Sequence, residues 1–384
     1  MQVRIPAVYM RGGTSKGLFF HRDHLPVDPT LRDRVILAAY GSPDPGGRQL
    51  DGIGGGSSVT SKVAIINPSR SPGQDVEYLF GQVSIDKPVV SYKGNCGNMS
   101  AAVGPFAVDE GLVPPEEPVT TVRILQVNTG KSILAEVPVR EGKYDPEGNY
   151  SIDGVPGTGG RITLRFLHPE GAVTGRLLPT GNLRDTLEVQ CVGEVTVSIL
   201  DAGNPVVFVR AQELGLRGTE TQQIEESSDL KDKLEAIRGA AAVMLGLAST
   251  PQEASQRSQT IPKIAIVAPP ATYRSLSGSL VEEEKIDLVA RIMSMGGLHR
   301  AYAVTGAICT AGAAMIPGTV VHEMLRDETR SGGKVRLGHP SGRMEIEAFV
   351  EESSGLYQYV EARLGRTARR LMDGYVYAPG HVFS

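Results

Sequence analysis

Two runs of small residues, one in each half of the chain, restrict the fold more than any other feature. Gly94-Asn95-Cys96-Gly97-Asn98-Met99-Ser100-Ala101-Ala102-Val103-Gly104 leaves a glycine-flanked turn and enters an alanine-rich stretch. Thr305-Gly306-Ala307-Ile308-Cys309-Thr310-Ala311-Gly312-Ala313-Ala314-Met315 has the same character. Aligning Cys96 with Cys309 puts small residues in the same places. That match predicts a duplicated fold, with a cysteine leading each helix start and an active site where the halves meet. A helix start carries free backbone N–H groups and the positive end of the peptide dipole. Such an end binds anions and draws a thiol toward thiolate.

The chain's 384 residues exceed one ordinary domain. The expected division is 1–186 and 187–369, with the last strand, 370–384, returning to the first domain. Forty-six glycines and 25 prolines, without a tryptophan, favour many short strands. No apolar run reaches membrane-spanning length, and Met1-Gln2-Val3-Arg4-Ile5 opens no secretory signal. Three cysteines make no disulfide framework and fit a reducing cytoplasm. A net charge of −4 argues against nucleic-acid partners but leaves room for a small anionic substrate at a locally positive site.

Periodicity predicts helices at 29–40, 99–110, 230–245 and 305–315. Strands are predicted at 3–10, 18–20, 63–66, 76–85, 119–127, 132–139, 187–200, 206–209, 263–267 and 367–377. From Lys334 onward, Met344, Ile346, Ala348 and Val350 alternate with glutamates. The strands follow one another as hairpins, so the fold class expected is α+β, with antiparallel sheets curled around one helix in each half.

Lys62 stands between a Gly/Ser loop, 51–58, and an apolar strand. A lysine on such a lip can be desolvated and serve as a base; the plainer alternative is a solvated strand end. The loop is neither a P-loop nor a dinucleotide fingerprint. For Cys96, the flanking Gly94, Asn95, Gly97 and Asn98 favour a ligand turn over a core position. Cys309, preceded by Ile308, has the stronger claim to be core, and Cys191 is expected in the core of a strand. Arg11, Thr14, Ser15 and Lys16 form a polar, anion-friendly hairpin tip. Asn204, His299 and Ser341 are further polar candidates, each with an equally plain structural role. The seven histidines show no metal-ligand spacing.

Arg11-Gly12-Gly13-Thr14-Ser15-Lys16-Gly17, the loop into Lys62, and Gly94-Asn95-Cys96-Gly97-Asn98-Met99 together resemble the PrpF family. So do Leu200-Asp201-Ala202-Gly203-Asn204-Pro205, Met293-Ser294-Met295-Gly296 followed by His299, and His339-Pro340-Ser341-Gly342. That family includes 2-methylaconitate cis-trans isomerase, 4-oxalomesaconate tautomerase and methylitaconate Δ-isomerase. The resemblance runs from residue 4 to about residue 377. It implies two pseudo-symmetric diaminopimelate epimerase-like domains, each a β-barrel around a helix, with the site in the cleft between them. It implies cofactor-free 1,3-allylic proton transfer on an unsaturated di- or tricarboxylate, with Lys62 and Cys96 catalytic and no metal. Substrate contacts are then expected from Thr14, Ser15, Lys16, Asn95, Gly97, Asn98, Met99, Asn204, His299, Thr305, Gly306, Cys309, Thr310 and Ser341. Dimers are the commonest assembly for such a chain. The rivals are an amino-acid epimerase using Cys96 and Cys309, and a non-catalytic carboxylate-binding protein. A pyridoxal-phosphate enzyme on Lys62 is disfavoured, because no phosphate cup follows.

Overall fold

A computed structural model describes residues 1–330 and 332–383. Contacts divide the chain into two compact units: Met1–Arg165 with the C-terminal segment from Gly365, and Phe166–Leu364. These boundaries, 165/166 and 364/365, differ from the 186/187 and 369/370 expected from the sequence. Residues 166–186 belong with the second unit because they are bonded into it. The Asp201 carboxylate accepts from the Val173 and Thr174 amides at 2.8 and 2.6 Å, and Gly171 N–H donates to the Asp201 carbonyl.

In the first unit, β1 (Gln2–Gly12) and β2 (Ser15–His21) are followed by α1 (Pro29–Tyr40), β3 (Lys62–Pro68), β4 (Val76–Val83) and β5 (Val90–Ser91). Then come α2 (Gly97–Asp109), β6 (Val119–Gln126), β7 (Lys131–Arg140) and β8 (Lys143–Tyr144). After β9 (Ile162–Leu167), the second unit carries β10 (Asp185–Val189), β11 (Gly193–Ala202), β12 (Asn204–Arg210), α3 (Gln222–Glu226), α4 (Ser228–Met244) and α5 (Pro251–Arg257). It continues with β13 (Lys263–Ala268), β14 (Tyr273–Arg274), β15 (Leu280–Val281), β16 (Leu288–Ser294) and β17 (Gly297–Leu298). It closes with α6 (Val304–Ala314), β18 (Lys334–His339), β19 (Gly342–Ser353) and β20 (Leu356–Arg366). The last strand, β21 (Ala368–Pro379), pairs antiparallel with β1.

The fold class is α+β, as expected, but the sheets are mixed rather than antiparallel. In unit 1, β1/β2 are antiparallel, β2/β3 parallel, β3/β4 antiparallel, β4/β6 parallel and β6/β7 antiparallel. Unit 2 repeats the sequence: β11/β12 antiparallel, β12/β13 parallel, β13/β16 antiparallel, β16/β18 parallel and β18/β19 antiparallel. Parallel neighbours need a long crossover. The four crossovers hold α1, α2, the α3–α5 group and α6. The duplication is thus a duplication of wiring.

This correspondence corrects the cysteine alignment. α2 starts after the N-cap Cys96, whereas α6 starts after the N-cap Ala303. Ala303, not Cys309, is therefore the counterpart of Cys96. Cys309 lies in the second turn of α6, fully buried, with its thiol donating to the Leu200 carbonyl at 3.4 Å. Burial pushes this thiol well above the ordinary range. Cys191 also departs from expectation. It is exposed at φ 68° in the turn joining β10 to β11, which splits the strand predicted at 187–200.

α2 is buried from Gly97 to Val108, and α6 along its whole length. Alanine and glycine allow this, since their small volume lets strands close on every side of a helix. α1 instead sends Val35, Ile36 and Ala39 into the apolar cluster that also holds Val63 and Ile65 of β3. β3 side chains alternate, so Lys62, Ala64 and Ile66 take the opposite face from Val63 and Ile65. In unit 2, α4 covers Ile264 and Ile266 in the same way. Each such side chain, fully buried, stabilises by about 1.5–3 kcal/mol. Among the described residues, no helix is long and apolar enough to cross a membrane.

Candidate active site

The β1–β2 hairpin organises unit 1. Its two-residue tip requires Gly13 at φ 50°, and a Cβ there would fall 2.1 Å from Asn98 Oδ1. The tip thus lies against the first turn of α2, and the Thr14 amide donates to Asn98 Oδ1 at 3.3 Å. Two residues on, Lys16 N–H donates to the Val59 carbonyl, in the loop before Lys62. Gly17 then stands beside Lys62 in the parallel ladder, so close that a Cβ would lie 1.8 Å from the Lys62 carbonyl oxygen. The Tyr40 phenol donates to that carbonyl and accepts from Leu18 N–H at 2.8 Å. One hairpin therefore connects the start of α2 with the strand that carries Lys62.

Lys62 is 6% exposed. Its Nζ donates to Gln82 Oε1 at 2.6 Å and lies 5.2 Å above the Phe80 ring centroid. Gln82 in turn donates through Nε2 to the Ser61 and Ser58 carbonyls, at 2.9 and 3.1 Å. The preceding loop is anchored by Gln49, which is fully buried. Gln49 Oε1 accepts from Gly56 N–H and from the Ser61 hydroxyl, and its Nε2 donates to Ser42 Oγ.

Cys96 is half-buried and gives α2 no side-chain cap; its carbonyl accepts from both Ser100 N–H and Ser100 Oγ. The leading N–H groups of α2, at Gly97, Asn98 and Met99, have no partner within the helix. The Met99 side chain is in the core, so only its amide belongs to this end. Asn95 is buried beside it, and Lys16 is half-buried with Nζ 5.5 Å from the Tyr9 ring centroid. Thr14 Oγ1 and Ser15 Oγ are buried and have no hydrogen-bond partner among the described residues. Buried hydroxyls without partners are uncommon, because leaving one unpaired costs about 1–3 kcal/mol.

In unit 2, Asn204 Nδ2 donates to Thr305 Oγ1 at 2.9 Å, where Thr305 is the second residue of α6. Asn98 holds the same place in α2 and is tied to its own hairpin tip in the same way. His299 is buried, and its Nδ1 accepts from Ala301 N–H at 3.2 Å. Ser341 Oγ donates to the Arg300 carbonyl at 2.5 Å, and Ser341 N–H donates to His339 Nδ1. Asn204, Thr305 and Gly306 thus belong to the leading end of α6, while His299 and Ser341 are bonded to residues 301 and 300 of the segment leading into it. Cys309 and Thr310 do not belong to that end. The Thr310 hydroxyl donates to the Gly306 carbonyl and meets Tyr302 Oη inside the core.

Two residues of unit 1 escaped the sequence reading. Gln82 carried a signal, a lone amide in the apolar strand Val-Glu-Tyr-Leu-Phe-Gly-Gln-Val. Arg366 carried none. It is buried beside the hairpin tip, where a Cβ on Gly13 would lie 3.3 Å from its Cδ, and burial lowers its guanidinium to about 10. Burial likewise holds the Tyr40 and Tyr78 phenols well above their ordinary range.

The family model described as "PrpF protein" matches residues 2–379. The chain is 48% identical to 3-methylitaconate isomerase of Eubacterium barkeri, over 98% of this chain and 97% of that protein. It is 43% identical to 2-methyl-aconitate isomerase of Shewanella oneidensis, over 98% of each. It is 42% identical to 4-oxalomesaconate tautomerase of Pseudomonas putida, over 98% and 96%. A crystal structure of methylitaconate-delta-isomerase superposes with a TM-score of 0.80 at 47% identity, covering 100% of this chain and 97% of that one. A hydroxyproline epimerase from Agrobacterium vitis, at 14% identity and a TM-score of 0.55 over 97% and 92%, shares the fold alone. The chain therefore belongs to the PrpF family and is an isomerase of the isomerase/tautomerase kind.

Proposed function

We propose that this enzyme carries a proton between the two ends of an allylic system in an unsaturated di- or tricarboxylate, with Lys62 as the base. The observation that carries this reading is the setting of Lys62. A buried amine is held by an uncharged amide and an aromatic face, in the unit whose central helix starts with uncapped N–H groups and whose hairpin tip carries two unpartnered hydroxyls. A substrate carboxylate fits that helix start, accepting from Gly97, Asn98 and Met99 amides and from Thr14 and Ser15. Arg366 adds a positive field beside the same tip, and Lys16 and Asn95 complete the polar surround.

Lys62 breaks the C–H bond next to a carboxylate or keto group, and the electron pair spreads over the allylic carbons onto oxygen. The N–H groups stabilise the charge as it develops. Cys96, or Lys62 itself, then delivers a proton to the far carbon, and the double bond moves with no net change in atoms. Positioned acid–base groups of this kind are worth roughly 10²–10⁴ in rate. The named relatives support 3-methylitaconate, 2-methylaconitate and 4-oxalomesaconate as the first substrates to try. No cofactor enters the proposal, and the three cysteines fit a cytoplasmic setting.

Proton NMR of these acids in heavy water tests the reading. The wild-type enzyme exchanges deuterium into the allylic positions and shifts the double bond, before and after dialysis against a chelator. Lys62→Ala folds normally and loses at least about a hundredfold in turnover. Wild-type turnover in Lys62→Ala overturns the assignment.

A further inference from the structure

We propose that Gln82 is the positioning residue that aims Lys62, an acceptor-only hold that leaves the lysine lone pair to the substrate. The inference rests on Lys62 being the base. An amide has two N–H donors and one carbonyl acceptor. Both donors of Gln82 are committed to backbone carbonyls, Ser61 and Ser58. Those bonds fix which end of the amide faces the lysine, so Oε1 and not Nε2 meets Nζ. The carbonyl can only accept an N–H. It cannot donate to the nitrogen, so the lone pair of the free amine points elsewhere. A carboxylate here would hold the lysine as a permanent cation. A glutamine holds it in both protonation states, favouring the ammonium only by the modest excess of a charge-assisted hydrogen bond. The Phe80 ring beneath Nζ is likewise an acceptor face.

The hold is itself anchored. Ser61 is bound to the buried Gln49 through its hydroxyl, and Ser58 lies in the same loop. The register Lys62↔Gln82 is a direct cross-strand pair. The second unit provides an internal contrast. Its β13 also opens with a lysine, Lys263, at the equivalent ladder position. Continuing the β13–β16 register places Ser294 opposite, a side chain too short to act as Gln82 does. Of the nearby titratable groups, Tyr40 of α1 donates to the Lys62 carbonyl, while Tyr78, farther along β4 opposite Ile66, neighbours Cys96 at the head of α2. Burial keeps both phenols neutral.

The test compares Gln82→Met, Gln82→Glu and Lys62→Ala by pH profiles of kcat/KM and kcat, with thermal melting as the control for folding. Gln82→Met removes the acceptor at similar volume. It should lower kcat roughly ten- to a hundredfold with KM changed by less than about threefold, and move the acidic limb down in pH. Gln82→Glu puts a charge where the amide stood and should move the same limb up by about one unit or more. Opposed shifts are the signature, since damage to packing alone lowers the amplitude without moving the limb in two directions. Should Gln82→Glu fail to fold, the Met variant still decides through its own limb. Full activity or an unmoved limb in a folded Gln82→Met protein overturns the inference. If Lys62→Ala is itself active, the fault lies instead with the base assignment.

Discussion

Replacing Ser15 with alanine should make the free protein more stable and the enzyme worse. Ser15 is 2% exposed, and its hydroxyl meets no partner among the described residues. An unpaired buried hydroxyl carries a penalty of about 1–3 kcal/mol. Alanine removes the oxygen and leaves only a small void, so about 1 kcal/mol of net stabilisation is expected. For a unit of this size that raises the melting temperature by roughly 2–4 °C. In the proposed complex the same hydroxyl would donate to the substrate carboxylate, an interaction worth about 1.5–3 kcal/mol. Its loss lowers kcat/KM by about ten- to a hundredfold. Thr14→Val should behave alike, because the Thr14 amide bond to Asn98 survives it. Scanning calorimetry without ligand and steady-state kinetics supply the two readouts. A Ser15→Ala protein that melts lower, or keeps its kcat/KM, refutes the reasoning that this oxygen waits for a ligand.

The thiols offer a simpler check. Cys191 is exposed and Cys96 half-buried, whereas Cys309 is enclosed and its thiol is pushed up by burial. A disulfide reagent should therefore titrate two thiols in the native protein and the third only after denaturation; three fast thiols would contradict the placement of α6. Alkaline stability follows from Tyr144, whose phenol is raised to about 12 by burial and donates to the Ala368 carbonyl. Because the folded value lies above the unfolded value near 10, its contribution is complete below about pH 10 and is lost as pH rises toward 12. The loss is at most about 3 kcal/mol. Tyr144→Phe should flatten that part of the urea-denaturation profile, and an unchanged slope would count against the burial argument.

Much of unit 1's candidate site could be read from residue order. A glycine pair before Thr14 and Ser15 announces a tight tip, a polar turn before an alanine run announces an uncapped helix start, and a lysine heading an apolar run announces the lip of a strand. These are local signals, carried by neighbours in the chain. The parallel pairing of β2 with β3 is set 40-odd residues apart by a crossover that leaves no mark on either strand. Chain order alone made such strands look like hairpins. The counterpart of Cys96 in the second half is hidden for a related reason. The predicted helix at 305–315 starts within one residue of α6, but Ala303 and Val304 look like ordinary apolar residues, so the alignment follows Cys309, which is the sixth residue of the helix and not its cap. Cys191 read as core because its neighbours alternate as in a strand, while the backbone reverses there. Gln82 was visible as a polar residue among apolar ones, but its meaning lies in the two carbonyls it binds, which only folding brings to it.

A lysine opening the same strand in each half has a chemical corollary. A repeated wiring sets two amines at equivalent backbone positions, and the side chains opposite them decide what each can do. Gln82 stands across the ladder from Lys62 and Ser294 in line with Lys263, so one backbone plan sets its two amines in different chemical company.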